Sequence, residues 1–315
     1  MDCFVGFDTS NYTTSAAVCT ADGEVIANIK APLPVKEGAC GLRQSDAVFA
    51  HIKNLPSVTA QLRDAVAGHR VIAVGYSARP RDAAGSYMPC FLSGEAAAHA
   101  FASAIGAPLY DFSHQSGHIM AAVYSSGATE RLMKSPFAAF HVSGGTTEVL
   151  LVTPHGDGFD VELVGETADI NAGQAIDRIG VMLGLRFPCG RELEQLAEKN
   201  TRKLPRAHVC VRDVKCNLSG LQNLAERFYA ECGDASAVSA YTLAFIGDTL
   251  CEMTRQLDER CGALHIVYAG GVMSNGYLQS RLSLRGDTYF ALPQFSADNA
   301  AGISLLCRRR HLSLK

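Results

Sequence analysis

The chain has 315 residues, 48% of them apolar and 19% charged, enough for two cores of ordinary domain size. Its net charge of −3 supplies no general drive toward nucleic acid, so phosphate binding would need a local basic patch. No stretch approaches the roughly 20 uninterrupted apolar residues of a membrane span, and the start, MDCFVG, is not that of a secretory signal.

In chain order, residues 7–18 read as an apolar strand, a tight polar tip and a second strand, and 24–29 as a third strand after the Asp22-Gly23 turn. The periodicity predicts one or two helices over 45–67, a buried strand at 71–76 and a helix at 94–105. From Ala138 the opening plan returns: a strand into Ser143-Gly144-Gly145-Thr146-Thr147, a second strand, a Gly156-Asp157-Gly158 turn and a third strand at 159–164. Helices follow at 172–183 and 236–257, then a buried strand at 264–269. A repeat this long is no solenoid and points to duplication of a whole domain. Two α/β lobes facing a cleft are expected, a layout shared by several nucleotide-binding superfamilies.

The cysteines number 11, odd and without a CxxC pair, and Cys3, Cys19, Cys251 and Cys307 sit in apolar runs. Free thiols in a reducing cytoplasm are expected. Two basic clusters stand out, Lys199 to Lys215 and Arg308-Arg309-Arg310, each readable as a solvated face or as a nucleic-acid contact.

Four short segments carry chemistry. In HQSGH (114–118) two imidazoles four apart share one helix face and can chelate one ion, although unconnected histidines give the same spacing. There is no HExxH glutamate, so zinc-protease chemistry lacks its base. The SGGTT tip at 143–147 reads as an anion-binding loop or as an ordinary turn. In YAGGVMSN (268–275) a strand runs through glycines into a helix, a ligand-facing junction or a structural turn. In FSADNAAG (295–302) Ser296 or Asp298 has the character of a helix N-cap.

Taken in order, these segments resemble the TsaD family (Kae- and Qri-type proteins, formerly described as O-sialoglycoprotein endopeptidases or glycoproteases). The resemblance runs from about residue 4 to 305. It covers a strand ending in DTS, HxxGH, VSGGxT, GQAIDRIGVMLGLRFPCG, NLSGL, AGGVxxN and DNAAGI.

The resemblance implies a two-lobed actin-like fold, residues 1–112 plus about 293–315 forming one lobe and 113–292 the other. It implies that His114, His118 and Asp298 hold one divalent ion, Fe²⁺ or Zn²⁺, and form the catalytic group. His141, Val142, Ser143, Gly144, Gly145, Asp177, Gly190 and Asn275 would contact an adenine nucleotide: threonylcarbamoyl-AMP, AMP or ATP. The implied reaction moves a threonylcarbamoyl group to N6 of the adenosine 3′ of the anticodon in tRNA. The implied partners are tRNA, a TsaB-like paralogue and a TsaE-like ATPase, with a homodimer left open.

The chain departs from the family at Tyr12 and Thr13, where an acidic pair is usual, and at Thr146, where a histidine is usual. A glycine-rich segment is replaced by SARPRD (77–82), and two phenylalanines by Asn217 and Leu218. Alternatives are therefore a carbamoyltransferase-like or acyl-adenylate enzyme with another acceptor, and a non-catalytic nucleotide-binding subunit.

Overall fold

The computed structural model describes residues 1–10, 12–34 and 42–315. Asn11, at the predicted first hairpin tip, and Cys40 lie outside the described residues. The chain divides into two compact units: Met1–Ser125 with Pro154–Asp160 and Gln294–Lys315, and Ser126–Thr153 with Val161–Pro293.

The first unit opens with β1 (Asp2–Ser10), β2 (Thr13–Thr20) and β3 (Val25–Pro32), then α1 (Gln44–Ala65), β4 (Arg70–Arg79), α2 (Phe91–Ile105), β5 (Leu109–Ser113) and α3 (His114–Ser125). Its five strands lie in the order β3-β2-β1-β4-β5. β1 pairs antiparallel with β2 and parallel with β4. Covered on both faces, β1 is buried at every residue after its first, which is why it reads as an apolar run rather than an alternation. Cys3, Val5 and Phe7 join a core cluster with Val58, Leu62, Ala98 and Ala102 of α1 and α2. Residues 45–67 form one helix despite Pro56.

The second unit holds α4 (Thr129–Leu132), β6 (Phe137–Val142), most of β7 (Thr147–His155) and β8 (Gly158–Thr167), α5 (Ala172–Met182), α6 (Gly190–Ala197), β9 (Cys210–Arg212), β10 (Lys215–Asn217), α7 (Gly220–Cys232), α8 (Ala235–Cys261), β11 (His265–Ala269), α9 (Gly276–Leu282) and β12 (Thr288–Phe290). Its strands run β12-β11-β6-β7-β8-β10-β9. The stretch β8-β7-β6-β11-β12 repeats the first sheet's order, with β6 antiparallel to β7 and parallel to β11, as the predicted duplication requires. Its core gathers Phe140, Ile179, Leu221, Leu243 and Tyr268, and the Tyr268 hydroxyl is hydrogen-bonded to Thr254 at 3.0 Å.

Two last helices, α10 (Pro293–Ser296) and α11 (Ala301–Ser313), complete the fold. α11 returns to the first unit and packs on β1, β2, β4 and α3. The bare Gly6 makes this possible: a Cβ there would lie 2.5 Å from the Ser304 nitrogen. Residues 113–125, assigned from sequence to the second lobe, group instead with the first unit because α3 packs along α11.

The sequence also proposed Ser296 or Asp298 as a helix cap, and the structure corrects this. Ser296 ends α10, while the side chain engaging the first turn of α11 is Asn299, whose Oδ1 accepts from the Ala301 N–H at 3.0 Å. Likewise AGGV does not lead straight into a helix. A 3₁₀ turn spans Gly271–Ser274, and α9 follows it.

Candidate metal centre and nucleotide loops

α3 starts at His114 because its first turn is held from outside the helix. The Ser116 N–H donates to Ser113 Oγ at 3.1 Å and the Gln115 N–H to the Pro80 carbonyl at 3.0 Å. Asp82 braces this start, its Oδ2 accepting from the hydroxyls of Ser113 (2.6 Å) and Ser116 (2.9 Å). Arg79 donates to Asp82 at 2.7 Å and to Asp111 at 2.6 Å. Burial would raise the Asp82 carboxyl, but the two serine hydroxyls and Arg79 outweigh it and hold it below the usual carboxylate range. The SARPRD segment thus becomes a bracket for α3.

One turn apart on that helix, the His114 and His118 rings lie 4.3 Å apart, centroid to centroid, at 82°. Asp298 reaches them from the segment between α10 and α11. Its Oδ1 is 3.2 Å from His118 Nε2 and 3.7 Å from His114 Nε2. Asn299 fixes that segment: its amide donates to the carbonyls of Ala297 (2.8 Å) and Phe295 (3.1 Å).

The three ligand atoms lie within 4.8 Å of one another. Metal–ligand bonds of about 2.0–2.2 Å place neighbouring donors roughly 3–3.5 Å apart, so the trio has nearly the spacing one ion needs. Two imidazole nitrogens and one carboxylate oxygen suit Fe²⁺ or Zn²⁺ with coordination positions left over. The side chains of His114, His118 and Asp298 are 18%, 17% and 24% exposed, so the trio is sheltered yet reachable.

Sequence reasoning missed a carboxylate behind this trio. His114 Nδ1 donates to Asp8 Oδ2 at 2.7 Å, from a carboxylate only 1% exposed. Burial alone would depress the His114 imidazolium. The Asp8 charge and hydrogen bond, helped by Asp298, reverse this and lift it to about 9 in the metal-free protein. Asp8 sits in the quoted DTS, but the hydrogen bond spans 106 residues, which no local pattern reveals.

The proposed nucleotide residues lie in the second unit and are linked contact by contact. His141 and Val142 end β6, and Ser143 shapes the tip beyond it: its Oγ accepts from the Gly145 (3.2 Å) and Thr146 (3.0 Å) N–H groups. The tip rests on the start of α5. The Gly173 N–H donates to the Ser143 carbonyl at 3.1 Å, and a Cβ on Gly173 would lie 2.7 Å from the Gly144 backbone. AGGV approaches from the other side, where Gly270, at φ +100°, lies against the Val142 backbone.

Asp177 of α5 accepts from the Cys189 N–H at 2.8 Å, just ahead of Gly190 at the start of α6. Glu194 of α6 accepts from the Gly276 N–H at 2.6 Å, and Asn275 caps α9 by accepting from the Leu278 N–H at 3.0 Å. Space above Gly144, Gly145 and Gly190 is open, as backbone offered to a ligand requires.

Two further carboxylates escaped the sequence reading or gained a meaning. Asp169 gathers the N–H groups of Ile170, Leu218 and Ser219 and the Ser219 hydroxyl, tying NLSGL to the entry of α5. Asp157 forms an ion pair with Arg310, while Arg308 and Arg309 donate to the Ala21 and Gly156 carbonyls. The triple-arginine cluster is therefore engaged by the protein's own groups.

A family model described as TsaD, tRNA N6-adenosine threonylcarbamoyltransferase, matches residues 35–305. The chain belongs to the TsaD family. Among curated relatives, the tRNA N6-adenosine threonylcarbamoyltransferase of Streptococcus suis is 30% identical over 312 residues, covering 96% of this chain and 90% of the relative. Its counterpart in Streptococcus pneumoniae is 29% identical over 311 residues, with 95% and 90% covered.

Solved structures bear out the actin-like α/β class. Component A of the Acidaminococcus fermentans (R)-2-hydroxyglutaryl-CoA dehydratase matches with a TM-score of 0.57 at 13% identity, covering 100% of both chains. Full-length HypF matches with a TM-score of 0.61 at 13% identity, covering 99% of this chain and 56% of that one. As a TsaD-family protein the chain is a transferase by descent, and among its described residues no helix is long and apolar enough to cross a membrane.

Proposed function

We propose that this chain transfers the threonylcarbamoyl group of threonylcarbamoyl-AMP to N6 of the adenosine 3′ of the anticodon in tRNA, releasing AMP. The observation that carries the reading is the meeting of His114, His118 and Asp298, whose ligand atoms lie within 4.8 Å of one another in a TsaD-family chain. These three residues hold one divalent ion, Fe²⁺ or Zn²⁺. When bound, it supplies positive charge to a phosphate group as AMP leaves.

His141 to Gly145, Asp177, Gly190 and Asn275 take the adenylate. The phosphate lies against the open backbone at Gly144 and Gly145, and the Asp177 carboxylate accepts from ribose hydroxyls. The mixed anhydride is already activated, so these residues contribute by placement rather than by covalent catalysis. A cytoplasmic setting, tRNA as substrate, and a TsaB-like paralogue and TsaE-like ATPase as partners belong to the same reading.

The test is complementation of a TsaD-depleted bacterium with nucleoside analysis of its tRNA. Wild type should restore the threonylcarbamoyl adenosine, and His114→Ala with His118→Ala should not, while staying folded and losing bound metal. Stoichiometric metal in the double variant, or its full complementation, would refute the assignment.

A second reading rests on Tyr12, 42% exposed beside Thr13 where the family resemblance implies an acidic pair: the same chemistry on another acceptor. AMP release from threonylcarbamoyl-AMP that is indifferent to tRNA would favour it.

A further inference from the structure

His114 has two ring nitrogens, and they are assigned to different jobs. Nε2 lies 3.7 Å from Asp298 Oδ1, on the side shared with His118. Nδ1 is committed to Asp8 Oδ2 at 2.7 Å. The other Asp8 oxygen, Oδ1, accepts from the Ser10 N–H at 2.8 Å, so the carboxylate is held at both ends and cannot easily turn. It is 1% exposed, on the central strand β1, where a charge without a partner would be costly. Asp8 does not belong to the cluster of ligand atoms, which among the described residues comprises His114, His118 and Asp298.

A carboxylate that accepts from one imidazole nitrogen fixes the tautomer and ring orientation and makes the other nitrogen a stronger donor. We propose that Asp8 is the positioning residue of the metal centre, holding His114 as its Nδ1–H form so that Nε2 meets the ion. This rests on the metal-site reading of His114, His118 and Asp298.

The experiment titrates metal-free protein with Zn²⁺ against a competing chelator, for wild type and for the isosteric variant Asp8→Asn. Both should bind one ion per chain, the variant about 10–100-fold more weakly. Histidine-selective ¹⁵N NMR of zinc-loaded wild type should show His114 protonated on Nδ1 and coordinated through Nε2, a signature that general loosening of the fold does not produce. Equal affinities in a folded variant, or coordination through Nδ1, would overturn the proposal. Should Asp8→Asn not fold, the wild-type spectrum decides by itself. If wild type takes up no zinc, the metal reading falls and this inference with it; if wild type binds and the variant matches it, Asp8 alone loses its role.

Discussion

A methyl group at position 302 would run into the Gly117 carbonyl and lie 2.9 Å from the Ala121 nitrogen, so α3 and α11 meet there backbone to backbone. Neither neighbour is the yielding end of a side chain, and Gly302→Ala must push the helices apart. A cost of about 1–3 kcal/mol is expected from such overpacking, together with weaker zinc binding, since His118 follows Gly117 and Asp298 precedes α11. Thermal melting and zinc titration of the variant check both, and unchanged zinc affinity would separate the helix crossing from the metal group. At this scale the sequence was legible where spacing is local: His114 and His118 fall on one face because four residues make about one turn. It was silent on Asp8, and it credited Ser296 or Asp298 with a cap, whereas the N-cap position of α11 is Ala300 and the side chain that meets its first N–H is Asn299. Three short polar residues, Ser296, Asp298 and Asn299, lie within four positions there, and only the backbone path decides among them.

Elements show how the SARPRD segment serves the fold. The bracket formed by Arg79, Asp82, Ser113 and Ser116 fixes the first turn of α3 through charge-assisted hydrogen bonds. Asp82 has a depressed pKa in the folded chain, so its contribution is complete above the unfolded value of about 3.9 and fades as pH falls through the folded one. Asp82→Asn should therefore lower the melting temperature near pH 7 and flatten the stability profile below about pH 4. Profiles that stay parallel through that range would remove Asp82 from the account.

Strands and long helices were readable because period-2 tips and long apolar faces are local signals. The AGGV junction was not: Gly270 enters the 3₁₀ turn at φ +100° against the backbone of Val142, 128 positions earlier in the numbering, which no local pattern reveals. Residues 113–125 group with the first unit for a similar reason: membership in a unit depends on contacts with α11, far along the chain.

For the molecule as a whole, the repeated strand order makes each unit a variation on one plan, and the sequence showed this because both copies open with the same hairpin, turn and strand. The proposed metal trio, His114, His118 and Asp298, belongs wholly to the first unit. Zinc at about 100 times its dissociation constant should add roughly 2.7 kcal/mol to whatever it stabilises. Hydrogen exchange should report that gain in α3 and in residues 297–300 and leave the seven-stranded sheet unchanged. Uniform protection of both units would contradict a centre confined to the first.

The return of α11 to the opening sheet also bears on how the protein is made. His118 and Asp298 are 180 residues apart in the chain. At the ribosome's pace of about 5–20 residues per second, the histidines wait roughly 10–35 s for their carboxylate. Through that interval β1 has one flank uncovered and the buried Asp8 faces no finished neighbourhood, so the nascent first unit depends on its final helix before it can close.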